Sequence, residues 1–201
     1  MMPNINNSLT AIHQKLCLIS PISIEELEFL IPIMKIENLS AGEYFINPGE
    51  SANKIAFNLK GLAKTYYIVE SGKEYITHFS DEGSFVGVYT DMLKNGLSTG
   101  HIQAIEDCTL MVMNYLDLLE ATKNSLAWAH LLRKVAENRY IYRSDKDRNI
   151  TQKSANDRYD YFVQTYPLLV DRLPQNQIAL YLNINAATLS RLKNNSGKYK
   201  K

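Results

Sequence analysis

Residues 173–193, LPQNQIALYLNINAATLSRLK, carry the pattern that decides how this chain is read. Ile178, Ala179 and Leu182 form an apolar stripe at helical spacing over Gln175–Leu182. Asn183-Ile184-Asn185 interrupts it, and a second helix is expected over Ala186–Lys193, with Leu189 and Leu192 facing inward. Asn183 stands where a left-handed residue closes a helix, a role Asn fills less readily than Gly. Asn185 stands where a side-chain oxygen caps the next helix. Two short helices about a three-residue turn make a helix-turn-helix, whose second helix can enter a DNA major groove. A helical hairpin buried in a globular core would show the same apolar pattern, so charge is needed to separate the two.

The formal net charge of +1 hides a steep gradient. Residues 1–115 carry a net of −6, residues 116–171 a net of +1, and residues 172–201 a net of +6 with no acid at all. An acidic front and an acid-free basic end point to a polyanionic partner at the C-terminal end. The chain of 201 residues is long enough for one or two domains with a real core. Cys17 and Cys108, in KLCLI and EDCTLMV, offer neither a disulfide framework nor a metal cluster and are expected to be small core residues. No apolar run approaches the length of a membrane span, and MMPNINNSLTAIHQ lacks the features of a secretory signal, so a cytoplasmic location is expected.

Read in order, residues 8–31 have helical spacing, with Ser23 and Glu26 as a capping box. Strand-like runs follow: MKIEN, EYFIN, KIAFNL, LAKTYYIV, EYITHF, HIQAIE and TLMVMNY, separated by turn signals such as Asn47-Pro48-Gly49 and Ser71-Gly72-Lys73. Leu62–Val69 against Glu74–Phe79 is the clearest hairpin, with Gly72 in its turn. Next come a short helix at Asp117–Asn124, a long one from Ser125 to about Thr151, and another over Ser154–Tyr166, stopped by Pro167. The long helix has a stripe at Trp128, Leu131, Leu132, Val135, Asn138, Tyr142, Asp145 and Asn149, read as a seam for a second copy or as a face packed on its own domain. The expected fold class is α+β. An antiparallel barrel of jelly-roll type fills 1–116, a linker and dimerisation helix 117–151, and a helix-turn-helix domain 152–201.

With GSFVG at 83–87, STGHIQAIEDCTL at 98–110, the long helix and residues 173–193, the chain resembles the Crp/Fnr superfamily of transcription regulators over nearly its whole length. The resemblance implies a cyclic-nucleotide-binding-type barrel, a homodimer, double-stranded DNA as partner and a contact with RNA polymerase. In nucleotide-binding relatives a Glu after the glycine holds the ribose and an Arg holds the cyclic phosphate. Here those places, after Gly87 and before Thr99, carry Val88 and Ser98. A buried phosphate needs a guanidinium or a row of amides in place of water. Control by cAMP or cGMP in the usual mode is therefore not expected, and the cofactor is unknown. Ser98, Thr99 and Gly100 are left either to line a pocket for another effector or to stand as a vestige. By the same resemblance Arg143 and Ser144 face the pocket, although Arg143 is also spaced to pair with Asp147. Two cysteines cannot hold the four-cysteine iron–sulfur cluster of redox-sensing relatives. His78 alone is weak support for haem, and His101 reads as a packed strand residue.

Carried onto DNA, the resemblance places Ala186 and Ala187 where relatives hold long base-reading side chains, and Arg191 where they hold a base-reading Arg. Alanine touches at most a thymine methyl, whereas a guanidinium can bond guanine bidentately. Gln175, Asn176, Thr188 and Ser190 are short polar groups suited to phosphate. Lys193, Lys198, Lys200 and Lys201 add nonspecific attraction. Only Asn194–Lys201 follow the second helix, so no β-hairpin wing is expected after it, and DNA shape is expected to carry part of the discrimination. Two other classes remain: a degenerate sensor acting through protein partners, and a cupin-like metalloenzyme. The latter needs clustered ligands, which the scattered His13, His78, His101 and His130 do not suggest.

Overall fold

The computed structural model describes residues 5–94 and 96–195. Helices α1 (Ile5–Cys17) and α2 (Ile24–Glu28) lead into strands β1 (Lys35–Leu39), β2 (Tyr44–Ile46), β3 (Lys54–Lys60), β4 (Ala63–Ile68), β5 (Glu74–Ser80) and β6 (Phe85–Val86). Then come α3 (Tyr89–Leu93), β7 (His101–Ala104), β8 (Cys108–Asn114), α4 (Tyr115–Thr122) and the 27-residue α5 (Leu126–Gln152). The chain continues with α6 (Ala155–Thr165), α7 (Pro167–Val170), α8 (Gln175–Tyr181) and α9 (Ala186–Asn195). Every expected strand is present. The two-residue β6 and the five-residue α3 were not expected, being too short to show a period.

The class is α+β; where a jelly-roll barrel is expected, the strands form two four-stranded antiparallel sheets that do not close into a barrel, ordered β1-β8-β3-β6 and β2-β7-β4-β5. Short strands explain the break: β6 has two residues and β2 three, too few to carry pairing round a corner. The β2–β7 register also slips between Tyr44 and Ile46. The tight approach of the β3–β4 turn to the loop before β8 depends on Gly61, at φ +91°, where an added Cβ would lie 2.3 Å from the Asp107 carbonyl oxygen.

The described residues fall into two compact units. The first comprises those of Met1–Tyr66 and Phe79–Arg139, the second those of Tyr67–His78 and Tyr140–Lys201. In the first, Leu9, Ile12 and Leu16 of α1 share one core with Phe57, Met111, Leu118, Trp128 and Leu131. Ser23 caps α2 through the Glu26 amide, and the Trp128 indole donates to the Glu26 carbonyl at 3.2 Å. The first half of the α5 stripe is therefore packed on its own domain, which removes Trp128 and Leu131 from any seam between copies. Leu126, Tyr140 and Ile141 are the exposed large apolar residues of α5. Cys108 is buried as expected, but Cys17 is exposed, because it ends α1 off the buried stripe of Leu9, Ile12 and Leu16.

In the second unit Tyr159, Phe162, Leu169, Leu173, Ile178, Leu182 and Leu189 are buried. Ser154 caps α6, accepting from the Asp157 amide at 3.2 Å, and Pro167 opens α7. The tip of the β4–β5 hairpin belongs to this unit, its turn closed by the Gly72 amide on the Val69 carbonyl with Gly72 at φ +76°.

Candidate functional site

The turn between α8 and α9 is built as the sequence indicates. Asn183 has φ +52°, the left-handed conformation, among otherwise ordinary backbone. The Ile184 amide donates to the Ala179 carbonyl at 3.0 Å and the Asn183 amide to the Leu180 carbonyl at 3.3 Å, together a Schellman closure. Arg158 of α6 adds a cation at the same helix end, its Nη1 donating to the Leu182 carbonyl at 2.8 Å. Asn185 Oδ1 then accepts the Thr188 amide at 2.7 Å and starts α9. These caps are short-range and mutually consistent, so they fix the angle at which α9 leaves α8.

On α9, Leu189 is buried and Leu192 and Lys193 are half-buried, leaving Ala186, Ala187, Ser190, Arg191 and Asn194 exposed along one face. Thr188 is half-buried at its flank, its hydroxyl accepting from Arg191 Nη2 at 3.4 Å. Gln175 and Asn176 are exposed at the start of α8. Asn194 was not singled out from sequence; its place three residues after Arg191 on the same face is the signal that would have found it. Lys198, Lys200 and Lys201 lie outside the described residues.

Beneath α8 lies a feature that the sequence reading missed. Lys146 of α5 is 4 % exposed and donates from Nζ to the Ile76 carbonyl of the hairpin. Its ammonium lies 3.9 Å from the ring centroid of Tyr181 and 4.9 Å from that of Tyr75. One turn earlier, the Tyr142 hydroxyl bonds the Tyr181 hydroxyl at 2.9 Å and lies 3.2 Å from the Thr77 carbonyl. Burial pushes the Lys146 ammonium down to about 7, with Arg143 adding to the effect and Asp147 opposing it. Burial likewise pushes the Tyr181 phenol well above its ordinary value. A cleft of about 450 Å³ lies in the same unit, lined by Val69, Lys73, Tyr75, Leu180, Asn183 and Asn185 among others. Contacts across some 70 residues of chain leave no local sequence signature.

In the first unit, Val88 and Ser98 are 2 % and 3 % exposed. The Ser98 hydroxyl donates to the Gly100 carbonyl at 2.8 Å. Gly87 packs close to Lys54, whose carbonyl an added Cβ would meet at 3.4 Å. Thr99 is exposed, and its amide and hydroxyl both donate to Asp91 Oδ2, at 2.7 and 2.8 Å. Arg143 and Ser144 fall in the second unit, where Arg143 Nε pairs with Asp147 Oδ2 at 3.1 Å, both side chains half exposed. His101 stacks on Tyr66 at 4.6 Å between centroids, as a packed strand residue does, and His78 meets Tyr142 edge-on at 4.8 Å. Burial and the carboxylates of Glu106 and Glu82 push the Cys108 thiol up to about 11, which makes it inert. Among the described residues no three His, Cys, Asp or Glu side chains gather as a metal site, and no helix is long and apolar enough to cross a membrane.

Residues 36–125 match the family model described as the cyclic nucleotide-binding domain. Among solved structures, FixK2 from Bradyrhizobium japonicum is 20 % identical, with a TM-score of 0.68 over 81 % of this chain and 83 % of that one. The c-di-GMP responsive global regulator CLP from Xanthomonas campestris is 14 % identical, with a TM-score of 0.68 over 86 % and 90 %. A protein described as a transcriptional regulator of the Crp/Fnr family, from Eubacterium rectale, is 12 % identical, with a TM-score of 0.68 over 85 % and 82 %. No curated protein sequence matches the chain. The residues around Thr99 do not fit a cyclic phosphate. The Asp91 carboxylate already takes the Thr99 amide and hydroxyl, the donors that an anion would need.

Proposed function

We propose, for a chain that carries a cyclic nucleotide-binding domain over residues 36–125 within the fold of the Crp/Fnr superfamily, that it is a homodimeric DNA-binding transcription regulator. The observation that carries this reading is the exposed α9 face of Ala186, Ala187, Ser190 and Arg191, set by caps at both ends of its turn, in a segment without acids. In this proposal α8 and α9 act as a helix-turn-helix. Arg191 reads a guanine edge, while Gln175, Asn176, Thr188, Ser190 and Lys193 contact phosphates. Ala186 and Ala187 contribute a thymine methyl contact at most, so DNA shape carries part of the discrimination. The dimer is drawn through the outward side of α5, where Tyr140 is 76 % and Ile141 56 % exposed. That face replaces the stripe through Trp128 and Leu131.

The CLP relative is described as c-di-GMP responsive, so the fold serves effectors other than cyclic mononucleotides. Control of this chain by cAMP in the usual mode is not part of the proposal. DNA fragments selected by the purified protein, followed by gel shift, test the main reading. Wild type should bind with affinity that falls steeply with salt, and Arg191→Ala should bind about ten- to a hundredfold more weakly. Equal, salt-independent binding by both proteins would contradict it.

A further inference from the structure

The joint at which α5, the β4–β5 hairpin and α8 meet holds a charge that its surroundings satisfy only in part. An ammonium carries three N–H donors and no acceptor. Among the described residues, the buried Lys146 Nζ has one hydrogen-bond acceptor, the Ile76 carbonyl, and no carboxylate at ion-pair distance. Its other neighbours are the ring faces of Tyr181 and Tyr75. A neutral amine has one donor fewer to satisfy and loses far less on leaving water.

The same few side chains fasten three elements together. Lys146 and Tyr142, one turn apart on α5, donate to consecutive carbonyls of β5, those of Ile76 and Thr77. Tyr142 also meets the Tyr181 hydroxyl of α8 at 2.9 Å. Further out, the cleft of about 450 Å³ separates Ser71 and Lys73 of the hairpin tip from Asn183 and Asn185 of the turn. The fastening of hairpin to α8 therefore falls on the joint. Tyr75 lines that cleft as well as facing Lys146, which brings solvent close to the ammonium.

Every element around Lys146 presents ionisable groups. On α5 these are Arg143 and Asp147, which pair with each other, and Tyr142. On the hairpin they are Tyr75 and, edge-on to the Tyr142 ring, His78. On α8 it is Tyr181, with the Tyr166 ring beyond it. Burial pushes the phenols of Tyr75, Tyr166 and Tyr181 upward, so they keep their protons through neutral pH.

We propose that the joint is a proton-operated fastening: the neutral Lys146 amine holds the hairpin to α5 and α8, and taking up a proton releases the hairpin from α8 while the rest of the unit stays folded. The open form binds that proton more readily than the closed form, whose Lys146 burial pushes down to about 7. Opening therefore grows as pH falls towards 7 and levels off below it, where both forms are protonated.

The test is native-state hydrogen exchange of the full chain from pH 6 to 9. Each amide's rate, divided by that of an unstructured chain at the same pH, gives an opening constant. For Tyr75, Ile76 and Thr77 of the hairpin and Tyr181 and Leu182 of α8, the wild-type constant should fall about tenfold per pH unit from 7 to 9 and be level below 7. These amides should open more readily than those of Phe162 and Leu189 in the core of the unit. Lys146→Met should be level throughout, whereas His78→Phe should keep the wild-type slope. Should Lys146→Met fail to fold, Tyr181→Phe keeps the ring, loses the hydroxyl bond, and should open more at every pH with the slope intact. The proposal is overturned by a level wild-type profile, by a slope that survives in Lys146→Met or vanishes in His78→Phe or Tyr181→Phe, or by hairpin and α8 amides that open only together with Phe162 and Leu189. No DNA enters the experiment, so this result and the reading of α9 stand or fall separately.

Discussion

Two regions of this protein bury an ionisable side chain that has no ion pair among the described residues, and they satisfy it differently. Beside α8, the Lys146 ammonium is held by the Ile76 carbonyl and the faces of Tyr75 and Tyr181. Beside the Thr99 loop, the Asp91 carboxylate is held by an amide and a hydroxyl of one residue. The first arrangement ties together three elements distant in sequence: the hairpin tip, α5 and α8. The second is confined to eight residues of loop and a short helix. A carbonyl and two rings replace the hydration of an ammonium incompletely, which is why its proton is held so loosely. Buried ionisable groups thus join distant elements in one region and brace a single loop in the other.

The largest expected effect breaks the joint. Lys146 loses its proton at about pH 7 in the folded chain but near its ordinary value when unfolded. Between these values the unfolded chain holds a proton that the folded one has released. Stability should therefore rise with pH above 7, and below 7 the full burial penalty applies. Arg143 and Asp147 of α5 lie near Lys146, and the phenols of Tyr75, Tyr166 and Tyr181 are pushed upward by burial, so they remain protonated through this window. Denaturant midpoints of the full chain between pH 6.5 and 9.5 should show a rise on the order of a few kcal/mol, which Lys146→Met should flatten. A wild-type curve as flat as the variant's would remove the joint from the account.

Smaller effects sharpen the comparison at the α8–α9 turn. Asn183→Ile should cost about 1–2 kcal/mol in chemical denaturation, because a β-branched residue at φ +52° is strained, while Asn183→Gly should be neutral or slightly stabilising. Asn185→Ala removes the acceptor for the Thr188 amide and should cost about 1 kcal/mol. Tyr140→Asp, on the exposed side of α5, should leave monomer stability within about 0.5 kcal/mol while shifting sedimentation from dimer to monomer.

The same contrast explains what could be read from the chain. Asn183 and Asn185 were legible because each cap is satisfied within five residues, and the conformation follows from residue type. The strands were legible from alternation bounded by turns. Closure of the two sheets was not, because it depends on how many residues β2 and β6 commit to pairing. The burial of Trp128 and Leu131 was ambiguous because a stripe on α5 does not say which surface it meets. Val88 and Ser98 are legible only as departures from the pattern that the resemblance implies, and both are buried. The bonding of Thr99 to Asp91 was hidden, since an aspartate in a five-residue helix too short to show a period has no signature of burial. Lys146 was hidden more deeply, its partner Ile76 lying on another element.

The most direct test of the central claim is a hydroxyl-radical footprint of the full chain on DNA that it selects, repeated across a salt series. The account predicts two protected half-sites about 34 Å apart, weakening together as salt rises, with protection lost in Arg191→Ala. Selected DNA showing no protection, or protection indifferent to both salt and Arg191, would contradict it.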